Sequence, residues 1–236
     1  MQFDQPPEIT ISIPHQRNTS VRAAKGEIIV FTDANCRPEP QWLSELVRPV
    51  LQDEHIAAGI TIAPPGSTGE SVADRMMVQG TLANRYVKEC STINLAFRRE
   101  VFDAVGGFDE RFAYGSDIDF CWRFTAAGYR IRGVPDAISR HDTGSLRRQL
   151  RRSYVYGKAR VRLYRKHRDR LRHILRDDTA VVAYPVFLLG LPLTLFFPFY
   201  PALLLIPAWR NRADGVVGVL KNLVFGAGVL AGLAEQ

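Results

Sequence analysis

Residues 179–209 contain no Asp, Glu, Lys or Arg, a run of 31 positions rich in Leu, Phe, Val and Pro. About 20 apolar residues in a helix cross a bilayer core. The run therefore suits one tilted span, or a hairpin broken near Pro198 and Pro201, where helical hydrogen bonds are lost. A second stretch, 215–233, is apolar apart from Lys221 and Asn222 and reads as a further span or a helix lying in the interface. Immediately before the first run, residues 147–176 carry 13 Lys or Arg against one acid, Asp169. Positive charge beside a membrane segment marks its cytosolic side. This predicts attachment to the cell membrane with the N-terminal body in the cytoplasm.

Placed on a helix, Leu146, Leu150, Tyr154, Val161, Tyr164, Leu171 and Leu175 fall at spacings of three, four or seven and form one apolar stripe among arginines. Such a helix suits an anionic membrane surface; a solvated helix packed on the body by its stripe is the other reading. Three parts follow: a body over 1–145, a basic amphipathic interfacial helix over 146–178, and membrane-associated helices over 179–236. The whole chain is +7 and the basic block +12, so the remainder is −5. A mildly acidic body gives no support to general nucleic-acid binding. Cys36, Cys90 and Cys121 are scattered without a CxxC pair, which predicts reduced thiols rather than a disulfide framework or a zinc site. The start, MQFDQPPEI, lacks a basic segment followed by an apolar run and does not read as a signal peptide.

The body alternates strand-like and helical stretches, which predicts an α/β fold. Residues 9–13 alternate with period two, and 28–32 (IIVFT) form a continuous apolar run suited to a strand buried on both faces of a largely parallel sheet. Between them, 18–25 suits a short helix closed by Gly26, joined by a right-handed crossover. Pro38 and Pro40 open a helix running to about residue 51. Residues 93–97 read as a strand, 106–107 as a glycine turn, 117–127 as a helix entered through Gly115 and Ser116 and stopped by Gly128, and 129–134 as a last strand.

Three places carry candidate chemistry. Asp33 follows the IIVFT strand, and ligands of open α/β sheets bind beyond strand carboxyl ends. With Asn35 two residues on, it offers oxygen donors for Mg²⁺ or Mn²⁺, although Asp and Asn are also ordinary turn residues. Ser116 and Asp119 have the spacing of a helix N-cap with an acidic partner. Asp117, between them, suits either the positive end of a helix or a general base toward a substrate hydroxyl. His141 lies in a polar stretch after the strand at 129–134, where a lone histidine is most often an ordinary surface residue.

In order along the chain, these segments resemble glycosyltransferase family 2, inverting enzymes of the GT-A nucleotide-sugar fold. Arg17, Asn18, Ala24, Gly26 and Glu27, leading into IIVFTDANCRP with Trp42 and Leu43, are similar to the family's approach to its DxD motif. STINLAFRREVFDAVGGFDERF followed by GSDIDFCWRFTAAGYRI is similar to the acceptor-side segment ending in its ED motif. His141, the SYVYGKAR segment and the apolar tail resemble membrane-bound members.

The resemblance implies a partial GT-A domain that transfers sugar from a nucleotide diphosphate sugar to a hydroxyl of a lipid-linked or cell-envelope glycan, with inversion and a divalent cation. It implies Asp117 as the base, and Asp33, Asn35 and His141 as metal ligands. It places Arg17, Asn18 and Asp33 at the donor, and Asn94, Asp119, Trp122 and Arg123 at the sugar or acceptor. Asn35 stands in place of a second aspartate, Ser116 where glutamate is common, and Ser20 where glycine is usual. The chain begins at what resembles the family's third strand, which implies that the nucleotide-binding strands are missing. A truncated, non-catalytic membrane partner is the competing expectation.

Overall fold

The computed structural model describes residues 12–64, 86–142, 144–210 and 215–235. The chain enters through helix α1 (Ile13–Ala23), whose N-cap Ser12 accepts from the His15 N–H and whose second position is Pro14. The alternating run at 9–13 lies outside the described residues except for its last two positions. Those are this cap and first helical turn rather than strand, because the Ser-Ile-Pro order starts a helix.

Six strands form one mixed sheet, in the order β1 (Ile28–Phe31), β5 (Leu95–Arg98), β3 (Ile56–Ile62), β6 (Ile131–His141), β2 (Cys36–Pro38), with β4 (Tyr86–Val87) also on β6. Among the described residues only β3 and β6 run parallel; the other pairings are antiparallel. This corrects the largely parallel sheet expected from IIVFT. Among the described residues β1 ends the order, with only Ile29 fully buried. An apolar run reports hydrophobic neighbours, not the direction of the strand beside it.

β6 continues seven residues past the predicted end at 134. Pro135 suggests a stop in the sequence, yet the strand survives it as an irregularity. Gly59 pairs with Val134 and Ile60 with Ile138, so β6 loops out between them. A Cβ on Gly59 would collide with the Ala137 carbonyl and the Asn94 amide, so only glycine fits that crossing.

Period-two alternation divides the core. Ile56, Leu95 and Phe97 face a cluster with Phe102, Phe108, Phe120 and Phe124. Ala57, Ala96 and Ala137 face helix α2 (Trp42–Leu51), which buries Trp42, Leu46 and Val50 at i, i+4, i+8. Helix α3 (Arg99–Val105) follows β5 and ends on Gly106 at φ +76°. Helix α4 (Ser116–Ala126) leads to β6.

Helix α5 (Leu146–Lys166) is capped by Ser145. It stops at His167, where a 3₁₀ turn (Arg168–His173) and the short α6 (Ile174–Asp177) take over. The single helix expected over 146–178 is thus divided, and its proposed stripe with it. Val161 and Tyr164 are buried, whereas Leu146, Tyr154, Leu171 and Leu175 are exposed. The real buried face includes Gln149, Gly157, Ala159 and Leu163.

Beyond it come α7 (Ala180–Leu189), 3₁₀ turns at Leu191–Leu195 and Tyr200–Leu204, α8 (Leu205–Arg210) and α9 (Gly215–Ala234). The uncharged run is therefore broken into short pieces. Among the described residues, the one helix long and apolar enough to cross a membrane is α9. It packs on α5 backbone to backbone: a Cβ on Gly157 would strike the Phe225 carbonyl, and one on Gly228 the Tyr154 carbonyl.

Candidate functional site

Four elements converge on one cleft of about 490 Å³, within the size range of small-molecule sites. Helix α1 contributes Arg17, the turn after β1 Asp33, the start of α4 Ser116 and Asp117, and the end of β6 His141. His141 is not in a loop, as expected from sequence. It is the last residue of β6, paired with Cys36 of β2, and its Nδ1 lies 3.6 Å from Cys36 Sγ. Burial pulls its imidazole below the ordinary histidine range against the opposing charge of Asp33, with Arg152 and Arg148 adding to the fall. A neutral imidazole is the ligand form.

Asp117 sits in the first turn of α4, deep in the wall yet with part of its surface on the cleft. Burial raises its pKa above the usual carboxylate range, opposed by the Arg17 charge, the Ile118 N–H and Arg160. Arg17 donates to Ser116 Oγ at 3.3 Å and lies 5.5 Å from the Phe108 ring centroid. Asp117, Asp33 and Tyr156 all favour its charged form, against the burial that lowers its pKa.

Helix α5 adds a fifth wall, outside the sequence expectation. Arg148, Arg151, Arg152 and Tyr156 of α5 line the same cleft, and Tyr156 meets Tyr114 edge-on at 6.0 Å. The signal was present as an i, i+4, i+8 face (148, 152, 156), but that block's charge was read as pointing at lipid. Much of the rest of the block pairs with acids and carbonyls of the chain itself. Arg160 pairs with Asp178 at 2.9 Å and Glu89 at 3.4 Å, and Lys166 with Asp109 at 2.8 Å and Asp119 at 2.6 Å. Arg165 donates to the carbonyls of Leu233 and Glu235, and Lys158 and Arg162 pair with Glu235.

Other candidates are occupied elsewhere. Asn18, buried, clasps the loop after α3 by donating to Phe108 O and Glu110 Oε1 and accepting from Phe108 N–H, each at 2.8 Å. Asn94, 1% exposed, accepts from Trp42 Nε1 and donates to the carbonyls of Ile60 and Ala137. Asp119 is fully buried among Arg123, Lys166 and His167. Arg123 also holds the carbonyls of Val105 and Gly107. Trp122 donates to Glu89 at 2.8 Å and lines a separate cavity of about 470 Å³. Asn35 is exposed in the β1–β2 turn, outside the lining of the cleft. These placements answer to polar satisfaction: a buried amide or carboxylate must find partners, and these partners are protein groups.

Among the described residues no three His, Cys, Asp or Glu side chains form a ready-made metal cage. Asp33 and His141 share the cleft, however, and Mg²⁺-type sites commonly use one or two carboxylates completed by substrate phosphates and water. The residues present fit a cation held jointly with a phosphorylated ligand.

The sequence profile described as glycosyl transferase family group 2 matches residues 28–209, most of the chain. The chain belongs to that family. It is 27% identical over 164 residues to glycosyltransferase AglE of Haloferax volcanii, covering 67% of this chain and 53% of that protein. It is 26% identical over 185 residues to the pre-mycofactocin glycosyltransferase of Mycobacterium tuberculosis, covering 74% and 39%. The chain thus spans about half or less of the length of these curated relatives. Mannosyltransferase PcManGT from Pyrobaculum calidifontis, solved in complex with GDP-Man and Mn²⁺, superposes with a TM-score of 0.59 at 19% identity, covering 94% of this chain and 65% of that one. At that identity the likeness is one of fold. The mixed α/β architecture is of the GT-A kind.

Proposed function

We infer that this chain transfers a sugar from a nucleoside diphosphate sugar to a hydroxyl of a lipid-linked or cell-envelope glycan, with inversion, at the cytoplasmic face of the cell membrane. One observation carries the reading. Asp117 shares a cleft with Asp33, His141 and four arginines: Arg17, Arg148, Arg151 and Arg152. Four guanidiniums against two carboxylates suit an anionic diphosphate, which arginine recognises through charge-assisted hydrogen bonds. The Mn²⁺ and GDP-Man of the archaeal mannosyltransferase support a donor and cation of this chemistry.

In this assignment Asp33 and His141 would hold Mg²⁺ or Mn²⁺ beside the diphosphate, and such a cation would offset charge growing on the leaving group. Arg17 and the α5 arginines orient and neutralise the phosphates. Asp117 takes the proton from the acceptor oxygen as it attacks the anomeric carbon opposite the departing diphosphate, which inverts that carbon. Its burial raises proton affinity, as a base requires, while Arg17 keeps the ionised form accessible.

Calorimetric titration with UDP- and GDP-sugars, with and without Mn²⁺, tests donor binding. No binding of any donor favours the non-catalytic reading. Where a donor binds, Asp117→Asn should abolish turnover with donor affinity unchanged within about twofold, since the base contributes in the transition state. Retained turnover would refute the assignment.

A further inference from the structure

The membrane reading leaves open which part of the chain meets lipid. We propose that residues 191–209 form a wedge that enters one leaflet of an anionic bilayer and returns, while α9 stays packed on the transferase domain and does not cross. This rests on the membrane attachment proposed above and adds its structural element.

The wedge is built of pieces too short to span. The turn Leu191–Leu195 has five residues, and Tyr200–Leu204 runs directly into α8 as one apolar helix over Tyr200–Trp209. At about 1.5–2 Å per residue these cover roughly 10 and 15–20 Å of a hydrocarbon core about 30 Å thick. Its apolar side chains face outward: Leu195 is 83% exposed, Phe196 78%, Phe199 86% and Trp209 69%. A contiguous apolar surface of this kind marks an interaction site.

Two features identify the occupant as lipid. First, several polar groups of the segment bond within it or to the adjoining α7. Backbone N–H groups of Leu193, Phe196, Phe197, Tyr200 and Ala202 donate to carbonyls three or four residues back. The Thr194 hydroxyl donates to Leu191 O at 2.7 Å, and that of Tyr200 to Phe187 O at 3.0 Å. Hydrocarbon imposes this self-sufficiency, whereas water or a polar protein partner does not. Second, charge is absent from 179–209 but borders it, with Arg172, Arg176, Asp177 and Asp178 before and Arg210, Arg212 and Asp214 after. Arginines at both edges of an apolar insertion can reach headgroup phosphates, and the excess of positive charge lies on the C-terminal side.

The placement of α9 completes the case. It runs parallel to α5, with Tyr154 against Gly228 and Lys158 against Gly232. Lys158 and Arg162 meet Glu235 at its end. A spanning α9 would drag these charged groups of α5 into hydrocarbon or abandon the glycine seam.

Trp209 provides an internal reporter, because Trp42 and Trp122 are buried. The full chain, purified in detergent, is mixed with vesicles of phosphatidylcholine alone or with phosphatidylglycerol. The expected result is binding that is stronger with phosphatidylglycerol, with a blue shift of Trp209 and its quenching by shallow rather than mid-bilayer bromolipids. Leu195→Ser/Phe196→Ser/Phe199→Ser should lower vesicle partitioning at least about tenfold, from the apolar area lost. The melting temperature and donor binding should be unchanged, since these side chains are exposed and outside the cleft. Val216→Lys/Leu220→Lys, on the exposed side of α9, should leave partitioning intact.

Unchanged partitioning of the triple variant, or loss of binding in the α9 variant, overturns the wedge. So does a triple variant that only converts a dimer to a monomer, which would make the face a contact between copies. Failure of the unmodified chain to bind any vesicle overturns the membrane reading as well. The donor titration is independent of all these outcomes.

Discussion

Asn94 lies next to the cleft-lining Ile93 and, by family resemblance, would touch sugar, but its amide is spent inside the protein. Oδ1 accepts from Trp42 Nε1 at 2.8 Å, and Nδ2 donates to Ile60 O at 2.9 Å and Ala137 O at 2.8 Å. It occupies the space left by Gly59, where β6 bulges against β3. Asn94→Leu nearly preserves volume and deletes all three bonds. The Trp42 N–H, buried without a partner, costs about 1–3 kcal/mol, and each carbonyl that loses a bond costs about 0.5–1.5 kcal/mol. The sum is about 2–6 kcal/mol, or a fall of roughly 4–24 °C in melting temperature for a chain of this size. Thermal melts by circular dichroism measure it. Trp42→Phe removes the same donor, so the double variant should be less unstable than the two losses added, by about 1–2 kcal/mol. Below the melting transition, donor affinity should match the unmodified chain. A stability loss under about 1 kcal/mol together with collapsed donor or acceptor binding would refute the reasoning and make Asn94 a binding residue.

Asp117 must be ionised to act, and burial holds its pKa above the ordinary carboxylate range, so kcat/KM should fall as pH drops through that raised value. Arg17→Met removes a charge that favours the ionised form and should move the acid limb to higher pH; a limb at the ordinary carboxylate position would contradict this. Asp119→Asn leaves Arg123, Lys166 and His167 around an uncharged amide and should cost about 3–5 kcal/mol at neutral pH. Burial raises the Asp119 pKa, but bonds from His167 and Lys166 and the Arg123 charge outweigh it, leaving it depressed. Its stabilisation is therefore complete above the unfolded carboxylate value and lost as pH falls through the lower folded one. Melts across acid pH should show a gap between the two proteins that narrows on acidification.

Local features were legible because their causes are local. Ser145 caps α5, Gly115 precedes α4, and Trp42, Leu46 and Val50 repeat at helical spacing; each depends on residues within a turn or two. The family segments also placed Arg17, Asp33, Asp117 and His141 in the chain, and the fold brings those four to one cleft. Asn18, Asn94 and Asp119 belong to the same segments but answer to partners up to 92 residues away. Polarity in a motif does not say whether a group faces ligand or core.

The uncharged run at 179–209 and the basic block before it were unmistakable in the sequence, because composition alone decides whether a segment is unsuited to water. The destination of those charges was a tertiary matter. Thirteen cations state that partners are needed, yet α5 aims three arginines into the cleft and sends others to Glu89, Asp119, Asp178 and Glu235. Likewise the glycines of α9 look like flexibility until Gly228 meets the Tyr154 carbonyl. Hydropathy and charge are properties of residues, whereas neutralisation and close packing are properties of pairs, and only the folded chain chooses the pairs.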